Sequence, residues 1–539
     1  MMRHMTKLLM ITVLVVYLLL SGCIQPSANT MEPPTSAEDN QVQKLVIGTT
    51  NKVEDTNIND YCFGIFLRQM SHQALVTISA DGDIVPELAT SWNTSDLKTW
   101  TFHLVDNATW HDGKPLTAQD IKFTMDYRKK NDPNWKSVFG DLLSVEAPDN
   151  RTVIMTLDKP DFNFLMNLAV YRILPEHVYK KVEDPKKFNT PDAWIGTGPY
   201  VLKSFDKATG LLHFEAYDQY WGSAPAIDQI DIRYFANTDT MILAFQKGEI
   251  DVPYAYATGF SPFYMPKLLN DEDIGIMIQK NGGITNVLWF NENKTYFDSK
   301  VFRQAVSYAI DYEEMKNIFT AGYGSIPDAG LVPQGTLYYK ETRTLAYDVN
   351  KSRDLLDAAG FKDTDGDGFR EALGGKKFQP VLSTRSDMAD NVRAVEMLKK
   401  YLNAVGIDVQ LKVMDRTSFS NSLDFDKTHE MALTRTTYWG MQMCAGYGSG
   451  YIDQRFYGWS MVNDSKFQTI VDQLTSTIDK DKRKALAGQI QDYYADEMPA
   501  IAVYNMDIIQ PYNKNYAGWV YNPYNGVLNY DTLFSLHKV

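Results

Sequence analysis

An acidic stretch has the residue types and the spacing of a cation site. Its candidate ligands are the side chains of Asp363, Asp365, Asp367 and Glu371 and the backbone carbonyl of Phe369. They match positions 1, 3, 5, 9 and 7 of a calcium-binding EF-hand loop, and Gly366 supplies the glycine of position 6. Position 12 is Gly374 instead of the bidentate glutamate. The pattern predicts either a structural calcium ion or an acidic turn without one.

A second stretch, Thr109–Tyr127, contains a histidine beside two carboxylates, the types used in acid–base catalysis. His111 has no second histidine or nucleophile at a useful spacing. Asp112 begins an Asp-Gly turn, and Asp120 stands three residues after Thr117, as in a capping box that starts a helix. We therefore predict a strand, a turn and a capped helix, without catalysis.

Soft donor atoms occur together near residues 429–444. His429, Met441, Met443 and Cys444 offer imidazole and sulfur, which suit nickel or copper. Methionine also fills cores and lines flexible clefts. Packing is the favoured interpretation, and a metal chelate remains the alternative.

The segment Tyr438–Tyr451 combines aromatic side chains with four glycines. Glycines let the backbone approach a ligand closely, while aromatic rings enclose its side chains. The alternative is a structural glycine-rich loop. The predicted ligand contacts are Tyr438, Trp439, Gly440, Met441, Tyr447 and Tyr451.

The elements around these stretches alternate between strand and helix patterns. Residues 44–49 form a short apolar run, and Trp100, Phe102 and Leu104 alternate with polar neighbours, as strands do. Residues 302–310 have apolar side chains at helical spacing, and the helix before Gly360 ends in a glycine cap. Mixed strands and helices throughout favour an α/β fold.

Size and charge limit the function classes. The 539 residues exceed what one core usually supports, so two or three lobes are expected. The net charge is −14, which disfavours binding to the nucleic-acid backbone. No zinc-protease, serine-hydrolase or P-loop motif is present, so an enzyme is not expected.

The N-terminus resembles a lipoprotein signal. Arg3 and Lys7 precede an apolar run over residues 8–20, which as a helix is too short to span a bilayer. Leu20-Ser21-Gly22-Cys23 resembles a lipobox, so residues 1–22 are the predicted signal peptide and Cys23 the lipidated residue. Residues 23–43 have the composition of a flexible tether. Cys62 and Cys444 remain, and the sequence does not establish whether they pair.

Several segments, in this order, resemble one family. They include "PELATSW", "WTFHLVDNATWHDGKPLTAQDIKFT", "GTGPYVL", "YWGSAPAIDQIDIRYF", "AFQKGEIDV", "FDSKVFRQAVSYAID", "VPQG" and "DVNKSRDLLDAAGFKDTDGDGFRE". The set is similar to the family 5 extracellular solute-binding proteins of ABC importers, the oligopeptide, dipeptide and nickel-binding group. Many peptide binders of this group carry an acidic residue after the Trp that matches Trp439; here Asp453 is too distant to be that residue.

The resemblance implies an α/β, two-lobed periplasmic-binding-protein clamshell with an extra inserted domain, its mixed sheets flanked by helices. Lobe I would comprise residues 44–70, 206–287 and 506–539. The inserted domain would be 71–205, and lobe II 288–505. Closure of the lobes on a ligand requires only that the closed form bind it more tightly.

The resemblance also implies a function. The expected protein is a monomer, lipid-anchored on the extracytoplasmic face of the cell membrane, that delivers a small solute to a membrane ABC permease and its ATPase. A peptide is the leading solute, a nickel or other metal chelate the alternative, and no cofactor is required. An enzyme on the same fold and a sensor that reports occupancy are the other classes.

Overall fold

The computed structural model describes residues 41–53, 69–79, 83–132, 135–255, 259–436, 458–522 and 526–539. These residues form three larger sheets of five, four and six strands, with helices packed beside them. No helix among them is long and apolar enough to cross a membrane.

The strands are β1 Val42–Thr49, β2 Val76–Ile78, β3 Ile84–Pro86, β4 Ala89–Asn93, β5 Thr99–Leu104, β6 Leu142–Glu146, β7 Thr152–Leu157, β8 Tyr200–Asp206, β9 Leu211–Ala216, β10 Ile227–Tyr234, β11 Val252–Tyr254, β12 Ile274–Phe290, β13 Gly324–Ser325, β14 Val381–Arg385, β15 Gln410–Met414, β16 Met431–Thr436, β17 Ala500–Asn513, β18 Tyr516–Ala517 and β19 His537–Lys538. The α-helices are α1 Ala118–Asn131, α2 Trp135–Phe139, α3 Phe164–Val170, α4 Glu176–Tyr179, α5 Thr238–Gln246, α6 Met265–Leu268, α7 Lys300–Ala309, α8 Tyr312–Thr320, α9 Val349–Ala358, α10 Ala389–Ala404, α11 Arg416–Ser420, α12 Ser465–Thr475, α13 Lys480–Glu497 and α14 Tyr530–Ser535. Short 3-10 turns occur at Pro185–Lys187, Pro191–Trp194 and Pro262–Tyr264, and a π-turn at Asn421–Phe425.

Lobe I contains the five-stranded sheet, in the order β11-β1-β10-β9-β8. Strands β11, β1 and β10 are parallel, and β9 and β8 continue the sheet antiparallel. β8 spans 200–206 and pairs with β9, so it lies across the predicted boundary between residues 205 and 206.

The inserted domain contains the four-stranded antiparallel sheet, in the order β4-β5-β7-β6. Its core includes Trp100, Phe102 and Trp110 from the sheet side and Ile121 and Met125 from α1. Every second residue of β5 is buried, as the alternating sequence predicts.

The six-stranded sheet has the order β13-β17-β12-β16-β14-β15, and β12 and β17 extend from predicted lobe II into predicted lobe I. Strands β14, β15 and β16 are parallel, while β12 and β17 run antiparallel to their neighbours. Helices α7, α8 and α10 contribute to one core beside the sheet, and α12 and α13 contribute to a second one.

Two long strands join the lobes. Ile274–Gln279 of β12 pairs with Ile508–Asn513 of β17, and after a register shift Ile284–Trp289 pairs with Ala500–Met506. Ile274 belongs to a core of lobe I, whereas Leu288 belongs to a core of lobe II. The register shift lies close to the predicted lobe boundaries at 287/288 and 505/506. A bulge of this kind is a natural place for a bend.

The parallel strands of lobe I end toward lobe II. β17 runs from lobe II into lobe I, and the N–H of Asn513 donates to the carbonyl of Asp251 at 3.1 Å. Farther back along β17, Gln510 Nε2 donates to the carbonyl of Pro253 at 2.9 Å. Residue numbers in β11 therefore rise toward lobe II, and the parallel strands β1 and β10 end on the same side.

The structure confirms the elements predicted around the opening motifs. Strand β1 covers the apolar run at 44–49, α7 covers most of 302–310, and Gly360 follows α9 with a φ of +86°. In the capping box, the N–H of Thr117 donates to Asp120 Oδ2 at 2.9 Å.

Candidate functional site

The carboxyl ends of the parallel strands of lobe II define one edge of its sheet. β14 ends at Arg385 and β16 at Thr436, and the helix α10 begins at Ala389 immediately beyond β14. In open α/β sheets, ligands bind in the crevice outside the carboxyl ends of the strands. Because lobe I also presents its carboxyl ends toward lobe II, this edge is the candidate ligand-binding wall.

Three polar side chains stand side by side at this edge. In register, Asn286 of β12 lies between Arg435 of β16 and Tyr504 of β17. Directly opposite residues of antiparallel strands share one face of a sheet, so the three side chains form a row. We call Arg435, Asn286 and Tyr504 the polar row.

The polar row is buried and lacks partners. Asn286 is 1% exposed and Tyr504 is 0% exposed. Among the described residues, Nδ2 and Oδ1 of Asn286 and the hydroxyl of Tyr504 have no hydrogen-bond partner. Arg435 is partly buried, and no hydrogen bond or ion pair joins it to another described residue. Buried polar groups without partners are costly, so a site that retains several of them fits a role in binding.

The electrostatics of the row favour an anion. Burial lowers the pKa of the Arg435 guanidinium, although arginine remains charged at any physiological pH. Burial raises the pKa of Tyr504, which keeps its hydroxyl as a neutral donor. Asn391, 2% exposed in the first turn of α10, adds an Nδ2 group without a partner. A fixed cation among neutral donors is suited to a carboxylate.

Arg385, another arginine at this edge, differs from Arg435 because it has an ion-pair partner. Arg385, at the end of β14, is paired with Asp387, with Arg385 Nε 2.9 Å from Asp387 Oδ1. The carboxylate of Asp390 lies close enough to favour the charged form of Arg435, but it makes no ion pair with it. Arg435 therefore keeps donors free for a ligand.

The predicted ligand contacts cannot be placed. Tyr438, Trp439, Gly440, Met441, Tyr447 and Tyr451 lie outside the described residues, as do Cys23, Cys62 and Cys444. Their segment follows directly on β16, whose last residue, Thr436, donates from Oγ1 to the carbonyl of Thr285 at 3.1 Å. The polar row thus stands at the point where this segment begins.

The sequence-based prediction missed the polar row. Its signal was nevertheless present, because Arg435 follows the apolar start of β16 and Asn286 comes directly before the apolar end of β12. An arginine inside a mostly buried strand needs a partner or a ligand. What the sequence could not supply is the register that aligns the three strands.

His429, the only imidazole among the soft donors, is already engaged. It is 5% exposed, and its Nε2 lies 2.7 Å from the carbonyl of Trp459, to which it donates. Burial lowers the pKa of His429 to about 4, so the ring is neutral. Its Nδ1 lies 3.4 Å from the carbonyl of Ser422. A protein-held metal in this position would have to displace these contacts; the other soft donors lie outside the described residues.

His111 is structural, as predicted. Its Nδ1 accepts from the N–H of Gly196 at 3.2 Å, and its Nε2 lies 2.9 Å from the carbonyl of Gly198. Asp112 forms an ion pair with Lys114 at 2.7 Å, and its Oδ2 lies 2.8 Å from His177 Nε2. These contacts hold the turn against the segment that precedes β8, and they leave no free nucleophile.

The acidic loop brings some of its predicted ligands together. Oxygen atoms of Asp363, Asp365 and Glu371 lie within 4.8 Å of one another. Asp367 is not part of that group, and its Oδ1 accepts from the N–H of Phe369 at 2.7 Å. Hydrogen bonds from the side chain and backbone of Thr364 lower the pKa of Glu371, so its carboxylate is ionised at neutral pH.

Comparisons with known proteins agree with this architecture. The family model for bacterial extracellular solute-binding proteins, family 5, matches residues 83–457, which is more than half of the chain. A Brucella ovis protein named as an ABC transporter peptide-binding protein is 29% identical over 348 residues, 63% of this chain and 62% of the relative. The chain thus matches about three-fifths of that relative's length.

Two further similarities extend the comparison. The nickel-binding periplasmic protein of Escherichia coli is 27% identical over 358 residues, 64% of this chain and 66% of that protein. The oligopeptide-binding protein AppA of Bacillus subtilis, solved with a nonapeptide, superposes with a TM-score of 0.77 at 19% identity, covering 93% of this chain and 100% of AppA. The structural match confirms the predicted two-lobed clamshell. The family match confirms, at the level of the family, a binding protein rather than an enzyme. On its sequence and its fold, the chain belongs to family 5 of the bacterial extracellular solute-binding proteins.

Proposed function

We propose that this protein captures a carboxylate-bearing solute, foremost a peptide, between its lobes and delivers it to an ABC permease. The observation that carries the proposal is Arg435, a guanidinium with no hydrogen bond or ion pair to another described residue, in a row with the unpaired buried side chains of Asn286 and Tyr504. The similarity to a protein named as peptide-binding supports a peptide. The C-terminal carboxylate is the one charged group that every unmodified peptide offers to an arginine whatever its side chains.

The remaining parts of the proposal rest on the family and the N-terminal sequence. We assign lobe I to 44–70, 206–287 and 506–539, the inserted domain to 71–205 and lobe II to 288–505. Cys23 carries the lipid, and residues 23–43 tether the monomeric protein to the outer face of the membrane. The permease and its ATPase are the membrane partners. The aromatic and glycine-rich segment 438–451 encloses the rest of the peptide.

Calorimetry with one peptide in two forms tests the role of Arg435. Wild-type protein should bind di- to pentapeptides as free acids and bind the same peptides as C-terminal amides much more weakly. A hydrogen-bonded contact to a charged group is worth about 1.5–3 kcal/mol, so Arg435→Gln should lose about tenfold to a hundredfold in affinity for the acid. It should lose little for the amide.

A matched variant controls for a general effect of charge. Arg353, on α9 of lobe II, donates a hydrogen bond from Nη2 to the carbonyl of Ala404 at 2.8 Å, away from the strand ends. Arg353→Gln removes the same charge and should leave the preference for the acid intact. If Arg435→Gln still distinguishes acid from amide as the wild type does, the carboxylate does not bind at this row.

A metal chelate is the second candidate, favoured by the similarity to the E. coli nickel-binding protein. Chelates of nickel with amino acids also carry carboxylates, so the polar row alone does not separate the two. Ni²⁺ with free histidine should give no heat in the same calorimeter if peptide is the solute. Binding of that mixture, lost in His429→Ala and with no response to peptides, would replace the peptide proposal.

A further inference from the structure

One backbone hydrogen bond crosses from the inserted domain to lobe II. The N–H of Phe162 donates to the carbonyl of Thr475 at 2.8 Å. Phe162 lies in the turn between β7 and α3, and Thr475 is the last residue of α12. The last carbonyls of a helix have no partner within it, so the inserted domain completes the end of a helix in the other lobe.

A cation–π contact stands beside this hydrogen bond. The Cζ atom of Arg483, in the first turns of α13, lies 3.5 Å from the ring centroid of Phe162. Arg483 is 4% exposed, and its Nε is buried without a hydrogen-bond partner. A positive charge near the start of a helix opposes the helix dipole. The Cζ atom of Arg483 also lies 5.8 Å from the ring centroid of Tyr338 in lobe II, so Arg483 contacts an aromatic ring of each body.

Both sides of the contact are held in place locally. The N–H of Asp161 donates to the carbonyl of Leu97 at 3.0 Å, and the side chain of Asp161 accepts from the N–H of Asn163 at 2.8 Å. On lobe II, Arg483 Nη1 lies 3.4 Å from the carbonyl of Thr477. Two locally ordered surfaces can meet with little loss of conformational entropy.

The two surfaces belong to bodies that the proposed function requires to move relative to each other. The inserted domain is built on lobe I, and lobe I is joined to lobe II by β12 and β17 at the register shift. A hydrogen bond of 2.8 Å is lost when its atoms separate by roughly a further 1 Å. A small opening rotation at these strands would therefore break the contact and expose the ring of Phe162 to water.

We propose that Phe162, Thr475 and Arg483 form a clasp that closes with the clamshell and sets how long the solute stays bound, without touching the solute. The inference deepens the proposed function, because only a protein that opens and closes on a ligand can use such a clasp. The clasp stabilises the closed state alone, so it raises the affinity for the solute chiefly by slowing dissociation.

The rate of hydrogen exchange at the amide of Phe162 measures directly whether its hydrogen bond to Thr475 is formed. In wild-type protein this amide should be protected, and more so when a mixture of di- to pentapeptides is added. Arg483→Met keeps the apolar stem and removes the charge, and should speed exchange at Phe162 while leaving the amides around Ile490, in the middle of α13, unchanged. Dissociation of bound peptide should be about threefold to thirtyfold faster, the range expected for a partly desolvated cation–π contact.

Arg128 provides a matched control. It is 7% exposed, its Nε has no hydrogen-bond partner, and its Cζ lies 5.7 Å from the ring centroid of Tyr171. Both residues are within the inserted domain. Arg128→Met should lower the melting temperature without changing exchange at Phe162 or the dissociation rate.

A second variant approaches the clasp from the other side. Phe162→Leu should accelerate peptide dissociation to a similar degree as Arg483→Met, and the double variant should be no faster than either single one. Equal exchange at Phe162 in wild type and Arg483→Met, or additive effects in the double variant, would overturn the clasp. The exchange measurement needs no peptide, so it tests the clasp even if the peptide proposal fails.

Discussion

At the scale of residues, the buried polar side chains differ in whether they have hydrogen-bond partners. Within the part of the chain that the structure describes, Arg435, Asn286 and Tyr504 form a row whose side-chain polar groups have no hydrogen-bond partner. Asn291 shows the contrast, because its Nδ2 donates to the carbonyls of Lys427 and His429 at 2.9 and 2.8 Å. A satisfied buried amide stabilises the fold, and the proposed function assigns the unsatisfied row to a ligand.

A different buried residue, Glu87, should make stability depend on pH. Burial raises the pKa of Glu87 to about 7, despite Arg172 at 3.4 Å and a hydrogen bond from the N–H of Ala74. The folded pKa exceeds the ordinary value of 4.5, so the native state binds the proton more tightly than the unfolded state. The stability contributed by protonation is complete below about pH 4.5 and is lost as the pH rises through about 7.

Urea denaturation at pH 5 and pH 8 measures this effect. Between these values, wild-type protein should lose more free energy of unfolding than Glu87→Gln does. The comparison uses the change with pH, because the substitution also alters the contact with Arg172 at every pH. Lys114→Gln, an exposed change in the same domain, should keep the wild-type dependence. An unchanged dependence in Glu87→Gln would contradict the raised pKa.

At the scale of elements, the sequence pattern accounts for single strands and helices but not for how the strands pair. The periodicity of the sequence predicts β5, α1 and α7, because a buried face repeats at two or 3.6 residues. It does not predict that Asn286 lies between Arg435 and Tyr504, since pairing between strands more than 60 residues apart leaves no local trace. The segment 438–451 was recognised from composition alone and stays a prediction.

The acidic loop is an element whose effect can be tested separately. Asp363, Asp365 and Glu371 present oxygens close together, and like charges at this distance repel unless a cation is bound. If the loop binds calcium, Ca²⁺ at 100 times its Kd should add about 2.7 kcal/mol to the free energy of unfolding. Asp365→Ala should abolish the rise in melting temperature, while Asp354→Ala, outside the loop, should retain it. Equal melting in calcium and in chelator would indicate an empty turn.

At the scale of the molecule, the parallel strands of the five-stranded and six-stranded sheets end toward each other. The long strands β12 and β17 link the two lobes. The family resemblance anticipated this architecture, and the strand pairing shows its physical basis. In the proposed function, closure brings the polar row opposite the five-stranded sheet, while the proposed clasp at Phe162 joins the same two bodies elsewhere. The boundaries of the three domains remain our assignment.

Anchoring is a property of the whole chain that the N-terminal sequence predicts. The mature protein should begin at Cys23 and fractionate with membranes. Cys23→Ser should release the protein or leave it unprocessed, because no cysteine then carries the lipid. Intact-mass measurement of the purified protein reads the start and the modification together. An unmodified N-terminus at another residue would contradict the anchor.

Native mass spectrometry of the gently purified protein tests the central claim most directly. We predict that wild-type protein carries additional masses that fragment into peptides with free C-terminal carboxylates. Arg435→Gln should lose most of this bound material, while Arg353→Gln should keep it. Peptides retained equally by Arg435→Gln and wild type would contradict the role of the polar row, and a nickel complex in place of peptides would contradict the proposed solute.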